Sequence, residues 1–269
     1  GLQHQDGHSH VLASTVPACQ AFDPAFAYEL AAIVDDGLQC MYGHAHPADN
    51  EDVFYYLTVY NETYEMPPRP DHLSTAEIVA GLYRWADAPD RPLRASVVFS
   101  GPAHSAAREA ADELAQRWGV GVDLWSATSY KRLREDALAA DRYNRLHPGT
   151  PPRTPLVTSL LADGDGPVVA VTDYMTMVPD QVSRWVGRPF QTLGTDGFGR
   201  SDTRLALRRF FEVDAGHVVV AVLAALAEVG DVDPSVVAEA IELHGIDSVE
   251  VDRLGHHGGV DISNLGQSS

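Results

Sequence analysis

The sequence has little positive charge, only two cysteines and no long hydrophobic run. Among its 269 residues, 19 lysines and arginines face 38 aspartates and glutamates, which gives a formal charge of −19. Because so acidic a chain repels phosphate groups and anionic lipids, we expect it to bind neither nucleic acid nor a membrane surface. Its longest apolar stretch, Val218 to Leu226, is shorter than the roughly 18 residues of a transmembrane helix. Cys19 and Cys40 are too few for a disulfide scaffold and too far apart for a zinc knuckle.

The start of the sequence lacks an initiator methionine and the basic-then-apolar pattern of a secretory signal. We therefore expect a cytoplasmic protein whose first residue here, Gly1, lies inside a longer chain. The composition, 45% hydrophobic and 21% charged, is that of an ordinary globular protein.

Strand-like and helix-like segments alternate along the chain. Short β-branched or aromatic runs predict strands at residues 53–60, 93–100, 120–125, 168–171 and 189–193. Helical spacing predicts helices that end near Trp118, begin at Ser129, and extend from Asp214 to about Val229 and from Asp233 to His244. This alternation predicts an α/β fold with a mostly parallel sheet covered by helices on both faces.

A proline-rich segment divides the sequence. Met66–Asp71 (MPPRPD) can form neither a helix nor a central strand, so we place a domain boundary near residue 70. Before it, Asp23-Pro24 is typical of a helix start, with Asp23 as the N-cap of a helix that extends to Tyr42. At the other end, residues 255–269 are rich in Gly, Ser and His, and we expect them to be frayed.

The opening segment HQDGHSH, residues 4–10, is the part richest in chemically active groups. Histidine is a common metal ligand, but His4 and His8 would share a face only on a helix, which Gly7 disfavours. His8 and His10 could share a strand face, yet two ligands do not complete a zinc site. We therefore interpret the segment as a loop whose histidines form hydrogen bonds or act as acid–base groups near an anionic substrate. Plain surface histidines are the alternative.

Two glycine-rich segments have simpler interpretations. Asp163-Gly164-Asp165-Gly166 directly precedes a strand, which favours a tight turn over a metal–diphosphate loop. The segment Gly194–Asp202 (GTDGFGRSD) follows a strand, where α/β sheets place ligands, but it lacks the GxGxxG spacing of a dinucleotide site. We expect Asp202 to cap the next helix. The segment Tyr60–Tyr64 (YNETY) ends a strand and could face a site or a partner.

Six blocks of the sequence together resemble one family. The blocks, in chain order, are Gly1–His10 (GLQHQDGHSH), Asp23–Glu29 (DPAFAYE), Tyr60–Tyr64 followed by Met66-Pro67, Thr172–Met175 (TDYM), Leu193–Gly199 (LGTDGFG) and Phe211–Asp214 (FEVD). They resemble consecutive blocks of the homodimeric E1 component of the bacterial pyruvate dehydrogenase complex, a thiamine-diphosphate enzyme of the transketolase superfamily. The resemblance extends from residue 1 to about residue 250.

The resemblance implies a domain arrangement. Residues 1–70 correspond to the C-terminal part of the pyrimidine-binding (middle) domain, residues 71–254 to a transketolase C-terminal-like domain, and residues 255–269 to a flexible tail. The family's metal–diphosphate motif and its cofactor-activating glutamate have no counterpart here. The resemblance therefore implies that thiamine diphosphate and Mg²⁺ belong to the full enzyme, that this chain alone binds neither completely, and that it is inactive alone.

The resemblance also implies an activity and partners. The family decarboxylates pyruvate on thiamine diphosphate and reductively acetylates the lipoyl group of E2. Expected partners are thus pyruvate, a second copy in a homodimer, the lipoyl domain of E2 dihydrolipoyl acetyltransferase, and the N-terminal portion of E1. This chain would supply the substrate-site histidine loop and the dimer core. His4 is the first candidate for substrate contact, His10 the second and His8 the third.

One departure from the family pattern concerns the residue after His4. The family usually has Glu there, whereas this chain has Gln5, which removes a negative charge and argues against an acid–base role at that position. Three other functions stay open at this stage. They are a non-catalytic dimerisation or assembly module, an enzyme of the same type for another 2-oxo acid or a ketose, and a metal hydrolase that uses His4, His8 and His10.

Overall fold

The computed structural model describes residues 6–44, 46, 49–197 and 199–247, and it places them in two sheets with surrounding helices. The strands are β1 (Cys19–Phe22), β2 (Phe54–Leu57), β3 (Tyr83–Ala86), β4 (Leu93–Phe99), β5 (Val120–Ser126), β6 (Val168–Val171) and β7 (Phe190–Leu193). The helices are α1 (Ser9–Ser14), α2 (Ala27–Tyr42), α3 (Thr75–Ala80), α4 (His104–Arg117), α5 (Tyr130–Leu146), α6 (Leu156–Leu161), α7 (Met177–Asp180), α8 (Ser183–Val186), α9 (Arg204–Phe210), α10 (Ala215–Glu228) and α11 (Pro234–Leu243).

The larger sheet has the strand order β3-β5-β4-β6-β7. Strands β5, β4, β6 and β7 are parallel neighbours, and β3 pairs antiparallel with β5 at one edge. Parallel neighbours need crossover connections, which the helices between the strands supply. The predicted α/β fold with a mostly parallel sheet is therefore confirmed.

The side chains of this sheet alternate between two apolar layers. Ala95, Val97 and Phe99 of β4 face α4 and α10, whereas Val98 faces the opposite layer with α5, α6 and α7. This alternation is the period-two pattern of a strand covered on both faces. The sheet is buried between helices, and its strand ends remain the places where polar groups can gather.

One segment is apolar and long enough to be tested as a membrane span. Arg204–Glu228 contains an 18-residue window with a mean hydropathy of 1.8, but 61% of that window is buried inside the protein. Its α10 half packs against α4 and β6. The core position of α10 accounts for its apolar composition, so the segment is weak evidence for a span.

The smaller sheet consists of β1 and β2, which run parallel with Cys19 opposite Phe54. An apolar cluster joins this region to the following one, since Phe22 and Ile33 pack with Ile78 and Tyr83. The expected proline-rich segment, residues 66–71, has no helix or strand. Apolar side chains before and after the proline-rich segment nevertheless pack together in this cluster.

Several local predictions were wrong. Strands β1 and β3 were not expected, and the opening segment contains helix α1 instead of being wholly a loop. Helix α2 begins at Ala27, and the Glu29 carboxylate, not Asp23, accepts hydrogen bonds from the backbone amides of the two residues before it, Ala25 and Phe26. Thr203 caps α9 in place of Asp202. The expected frayed tail, residues 255–269, lies outside the described residues.

Candidate functional site

A pocket of about 580 Å³ opens where strands of both sheets end. Its walls come from the end of β2 and the segment after it (residues 56–62), from Asp173 and Tyr174 after β6, from Thr195 after β7, and from the inner face of α9. Ligands of open α/β sheets bind at the carboxyl ends of the strands, which is the position of this pocket. The segments 60–64 and 194–202, which the sequence analysis flagged as strand-end segments, both contribute to it.

One wall of the pocket is ionic. Arg208 donates two hydrogen bonds to the Glu62 carboxylate, at 3.1 and 2.5 Å, and its guanidinium lies 3.9 Å from Asp173. Arg204 lies 3.9 Å from Glu62 and hydrogen-bonds Asn61. The hydrogen bonds from Arg208 lower the pKa of Glu62. These contacts clamp α9 onto the segment after β2.

Asp173 is the pocket carboxyl whose charge varies most easily. Burial raises its pKa to about 6, against the attraction of Arg208, which favours the ionised form. The wall therefore gains negative charge as the pH rises through about 6.

The opening segment reaches the same pocket through Asp6. The Asp6 carboxylate lines the pocket and accepts hydrogen bonds from the amides of His8 and Ser9, at 3.1 and 3.0 Å, which starts helix α1. Burial opposes the ionisation of Asp6, but these hydrogen bonds hold its pKa below the usual value. The carbonyl of Gly7 accepts a hydrogen bond from the Met175 amide at 3.0 Å, which ties the segment to the end of β6.

His10 lies behind the pocket wall. It is only 6% exposed, and its ring makes edge contacts with Tyr56 and Tyr174, at centroid distances of 5.4 and 4.6 Å. Both tyrosines line the pocket. Burial lowers the pKa of His10, although Asp23 and Asp6 oppose this, so the imidazole is neutral near neutral pH.

The three predicted histidines have different positions. His8 precedes the first residue of α1 and is partly exposed, and His10 is buried against two residues of the pocket. His4, the first candidate, lies outside the described residues. The assignment of these histidines to substrate contact remains a prediction.

A residue that the sequence analysis misinterpreted connects this region. The buried Asp23 carboxylate accepts hydrogen bonds from the hydroxyl groups of Thr58 and Tyr60 on Oδ1 and from Ser100 on Oδ2, at 2.7 Å for Thr58 and for Ser100. Gly101 permits this approach, because a Cβ there would lie 2.5 Å from the Tyr60 hydroxyl and 2.8 Å from Asp23. We call Asp23, Thr58, Tyr60 and Ser100 the Asp23 cluster.

Within residues 6–44, 46, 49–197 and 199–247, no group of three or more His, Cys, Asp or Glu side chains could hold a metal ion. The segment Asp163–Gly166 is a turn between α6 and β6, as predicted. In the pocket, Arg204 and Arg208 are already engaged by Glu62 and Asn61.

Comparison with known proteins defines the class of the chain. Residues 81–214 match the family described as the transketolase-like C-terminal domain, and residues 1–67 match the pyruvate dehydrogenase E1 component middle domain. The transketolase from Leishmania mexicana has a similar structure, with a TM-score of 0.57 at 18% identity, over 86% of this chain and 28% of that one. A split-gene transketolase, an inactive β4 tetramer, gives a TM-score of 0.50 at 20% identity, over 83% and 62%. The chain is a transketolase-like α/β protein.

Sequence relatives narrow this class to one family. The chain is 50% identical to the pyruvate dehydrogenase E1 component of Mycolicibacterium smegmatis, over 93% of this chain and 26% of the relative. It is 46% identical to that of Pseudomonas aeruginosa and 44% identical to that of Escherichia coli K12, over 92% and 94% of this chain and 28% of each relative. The chain belongs to the pyruvate dehydrogenase E1 family, and it spans about a quarter of the length of these relatives.

Proposed function

We propose that this chain forms part of the active-site wall of a pyruvate dehydrogenase E1 component. The full enzyme would decarboxylate pyruvate and reductively acetylate the lipoyl group of E2, as a cytoplasmic homodimer. When bound, thiamine diphosphate would supply the carbon nucleophile for decarboxylation. It would be held with Mg²⁺ mainly by parts of E1 beyond the residues described here.

One observation carries this proposal. The segment Asp6–His10 belongs to the first of the blocks that resemble the E1 family; its Asp6 lines a pocket at the strand ends of a transketolase-like sheet, and its His10 packs behind that pocket. That is the arrangement expected of a substrate-site wall.

The residues of this chain would bind and orient an anionic substrate. Neutral imidazoles can donate one hydrogen bond to a substrate oxygen and accept another. Three guanidinium groups, those of Arg200, Arg204 and Arg208, lie in the pocket beside three carboxyl groups, those of Asp6, Glu62 and Asp173. An anion such as pyruvate would therefore be bound by directed hydrogen bonds and not by a net positive charge of the pocket. We assign substrate contact to His4 first, with His10 and His8 in supporting positions.

The proposal is tested by complementation. Pyruvate decarboxylation is measured with thiamine diphosphate and Mg²⁺, using this chain alone, this chain mixed with the N-terminal portion of the M. smegmatis E1, and a chimera of the two. We expect no activity alone and activity in the mixture or the chimera. A folded chimera that binds the cofactor but does not decarboxylate pyruvate would contradict the proposal and favour an assembly module.

A variant of the active chimera tests the histidine assignment. His4→Ala should slow turnover by about 10²- to 10⁴-fold, the usual contribution of an acid–base group, and leave urea denaturation unchanged. The matched control is His72→Ala, which removes an exposed histidine beyond the pocket. Unchanged turnover combined with weakened folding would show that His4 has a structural role instead.

A further inference from the structure

Thr58 lies between a buried carboxylate and a buried imidazole. Its Oγ1 is 2.7 Å from Asp23 Oδ1 and 3.2 Å from His10 Nε2. Other oxygens around it are weaker or more distant acceptors, namely the Phe22 carbonyl at 3.3 Å and the Tyr174 hydroxyl. A hydroxyl has one proton to donate, and the nearby carboxylate is the strongest acceptor in reach. The Thr58 proton is therefore directed to Asp23.

The direction of the Thr58 hydroxyl proton determines which nitrogen of His10 carries the ring proton. Because Thr58 has no second proton, it can only accept the hydrogen bond from Nε2, and Nε2 must supply its own hydrogen. A neutral imidazole has a single N–H, so Nδ1 keeps a free lone pair. The neutral state follows from the burial of His10, which lowers its pKa.

The remaining contacts of Asp23 hold the carboxylate in place. Tyr60 donates to the same oxygen as Thr58, and Ser100 donates to the other at 2.7 Å. Thr172 Oγ1 lies 2.9 Å from Ser100 Oγ, which donates its own proton to Asp23, so Thr172 is the donor of that pair. The hydroxyls of Thr58, Tyr60 and Ser100 thus donate to one carboxylate, and Thr172 donates to Ser100.

Water has little room to rearrange this network. The cavity lined by His10, Asp23 and Tyr130 has a volume of only about 10 Å³, which is the space of one water at most. Exchange of the ring proton by rearrangement of bulk water behind His10 is therefore hindered.

We propose that Asp23 is a positioning residue, which acts through Thr58 to hold His10 in the Nε2–H tautomer with Nδ1 as a hydrogen-bond acceptor. Asp23 itself is not among the residues that line the pocket. The tautomer stands on the contacts alone, whereas its use in catalysis rests on the function proposed above.

The tautomer is measured by NMR on this chain labelled with ¹⁵N-histidine, from long-range proton–nitrogen correlations of the imidazole rings. His10→Gln identifies the His10 signals by their loss. We expect the Nε2–H form to exceed the other by about tenfold or more, the ratio that one net hydrogen bond supports. A wild-type ring that is mainly Nδ1–H would overturn the proposal without bearing on pyruvate decarboxylation.

Variants separate the role of Thr58 from general packing. Thr58→Val keeps the shape but removes the acceptor, and we expect the tautomer ratio to fall to about threefold or less. Thr58→Ser should restore it, and the control Ser100→Ala, which removes a donor from the other Asp23 oxygen, should leave it unchanged. An unaltered tautomer ratio in Thr58→Val would contradict the proposal that Asp23 acts on His10 through Thr58.

Asp23→Asn gives a second test if Thr58→Val does not fold. The amide of asparagine can donate to Thr58, which frees the Thr58 proton to turn toward His10 Nε2. We expect the population of the Nδ1–H form to rise at least severalfold. A ratio that stays at its wild-type value would show that Asp23 does not set the tautomer.

Discussion

Asp23 and Glu29 are both buried carboxylates near the start of α2, and their hydrogen-bond partners differ. Glu29 is completely buried and accepts from the backbone amides of Ala25 and Phe26 on one oxygen and from the Tyr83 and Ser126 hydroxyls on the other, both at 2.6 Å. Asp23 accepts side-chain hydrogen bonds from hydroxyl groups, two of which, those of Thr58 and Tyr60, line the pocket.

The difference in partners gives the two carboxylates different roles. Glu29 joins a helix to the large sheet, whereas Asp23 joins residues at the pocket. The Tyr83 and Ser126 hydroxyls donate to Glu29 and so tie α2 to strands β3 and β5 of the large sheet. The Asp23 carboxylate instead joins the pocket residues Thr58 and Tyr60 to Ser100, and Thr58 contacts His10. Burial raises the pKa of Glu29, although the hydrogen bonds that its carboxylate accepts act in the opposite direction. The four predictions below test this division.

The largest effect is expected at Glu29. Glu29→Ala leaves two buried amides and two hydroxyl groups without their acceptor, and should lower the free energy of unfolding by about 3–5 kcal/mol in urea denaturation. The matched control is Glu77→Ala. Glu77 makes the same contact with the start of α3 but is exposed, so about 0.5–1 kcal/mol is expected there. Similar losses of unfolding free energy in the two variants would show that Glu29 contributes no more than an exposed helix-capping glutamate.

The next effect tests the close packing of the Asp23 cluster. Gly101 and Gly119 both have positive φ, at 49° and 68°, but a Cβ at Gly119 would meet nothing within 4 Å. Both alanine variants lose about 1 kcal/mol from backbone strain. Gly101→Ala should lose about 2 kcal/mol more in urea denaturation, because its methyl group collides with Tyr60 and Asp23. Equal losses of unfolding free energy in Gly101→Ala and Gly119→Ala would mean that Tyr60 and Asp23 can shift to accommodate the added methyl group.

The sequence predicted the large sheet better than the site. Strands β4 to β6 begin and end within one residue of the expected bounds because they are continuous β-branched or apolar runs. Strands β1 (CQAF) and β3 (YRWA) contain no β-branched residue, so local pattern gave no signal for them.

The error at Asp23 has a different cause. An Asp before a Pro is a valid helix-start pattern, and local sequence cannot exclude it. Its true partners Thr58 and Ser100 lie 35 and 77 residues away. Such a cluster depends on the fold that brings the chain together, so sequence spacing alone cannot identify it. The pocket contributions of segments 60–64 and 194–202 could be anticipated, because strand ends form binding sites in this fold class.

Asp173 tests whether the pocket wall responds to pH. Its pKa of about 6 lies above that of an unfolded aspartate, so the folded state binds the proton more tightly. This contribution to stability is fully present below about pH 4 and is lost as the pH rises through about 6. The stability of the wild type relative to Asp173→Asn should therefore decrease by about 1–2 kcal/mol from pH 4 to 7.5. The full pKa difference corresponds to about 3 kcal/mol, but partial exposure reduces it.

Urea denaturation of both proteins across this pH range measures the difference directly. The control is Asp141→Asn, which removes an exposed carboxyl paired with Arg184 and keeps Asp173. A pH-independent difference between the wild type and Asp173→Asn would show that the pocket wall does not titrate in this range.

The smallest effect concerns the contact between Arg208 and Glu62. Lysine keeps the charge but cannot form the two parallel hydrogen bonds of the guanidinium group, so Arg208→Lys should lower the free energy of unfolding by about 1 kcal/mol. Arg184→Lys, at the exposed pair with Asp141, should lower it by about 0.5 kcal/mol or less. Thermal or urea denaturation distinguishes these values when the two variants are measured side by side. If Arg208→Lys proves as mild as its control, α9 is not clamped to the pocket, and the wall on that side depends on the apolar contacts of Leu207 and Phe211.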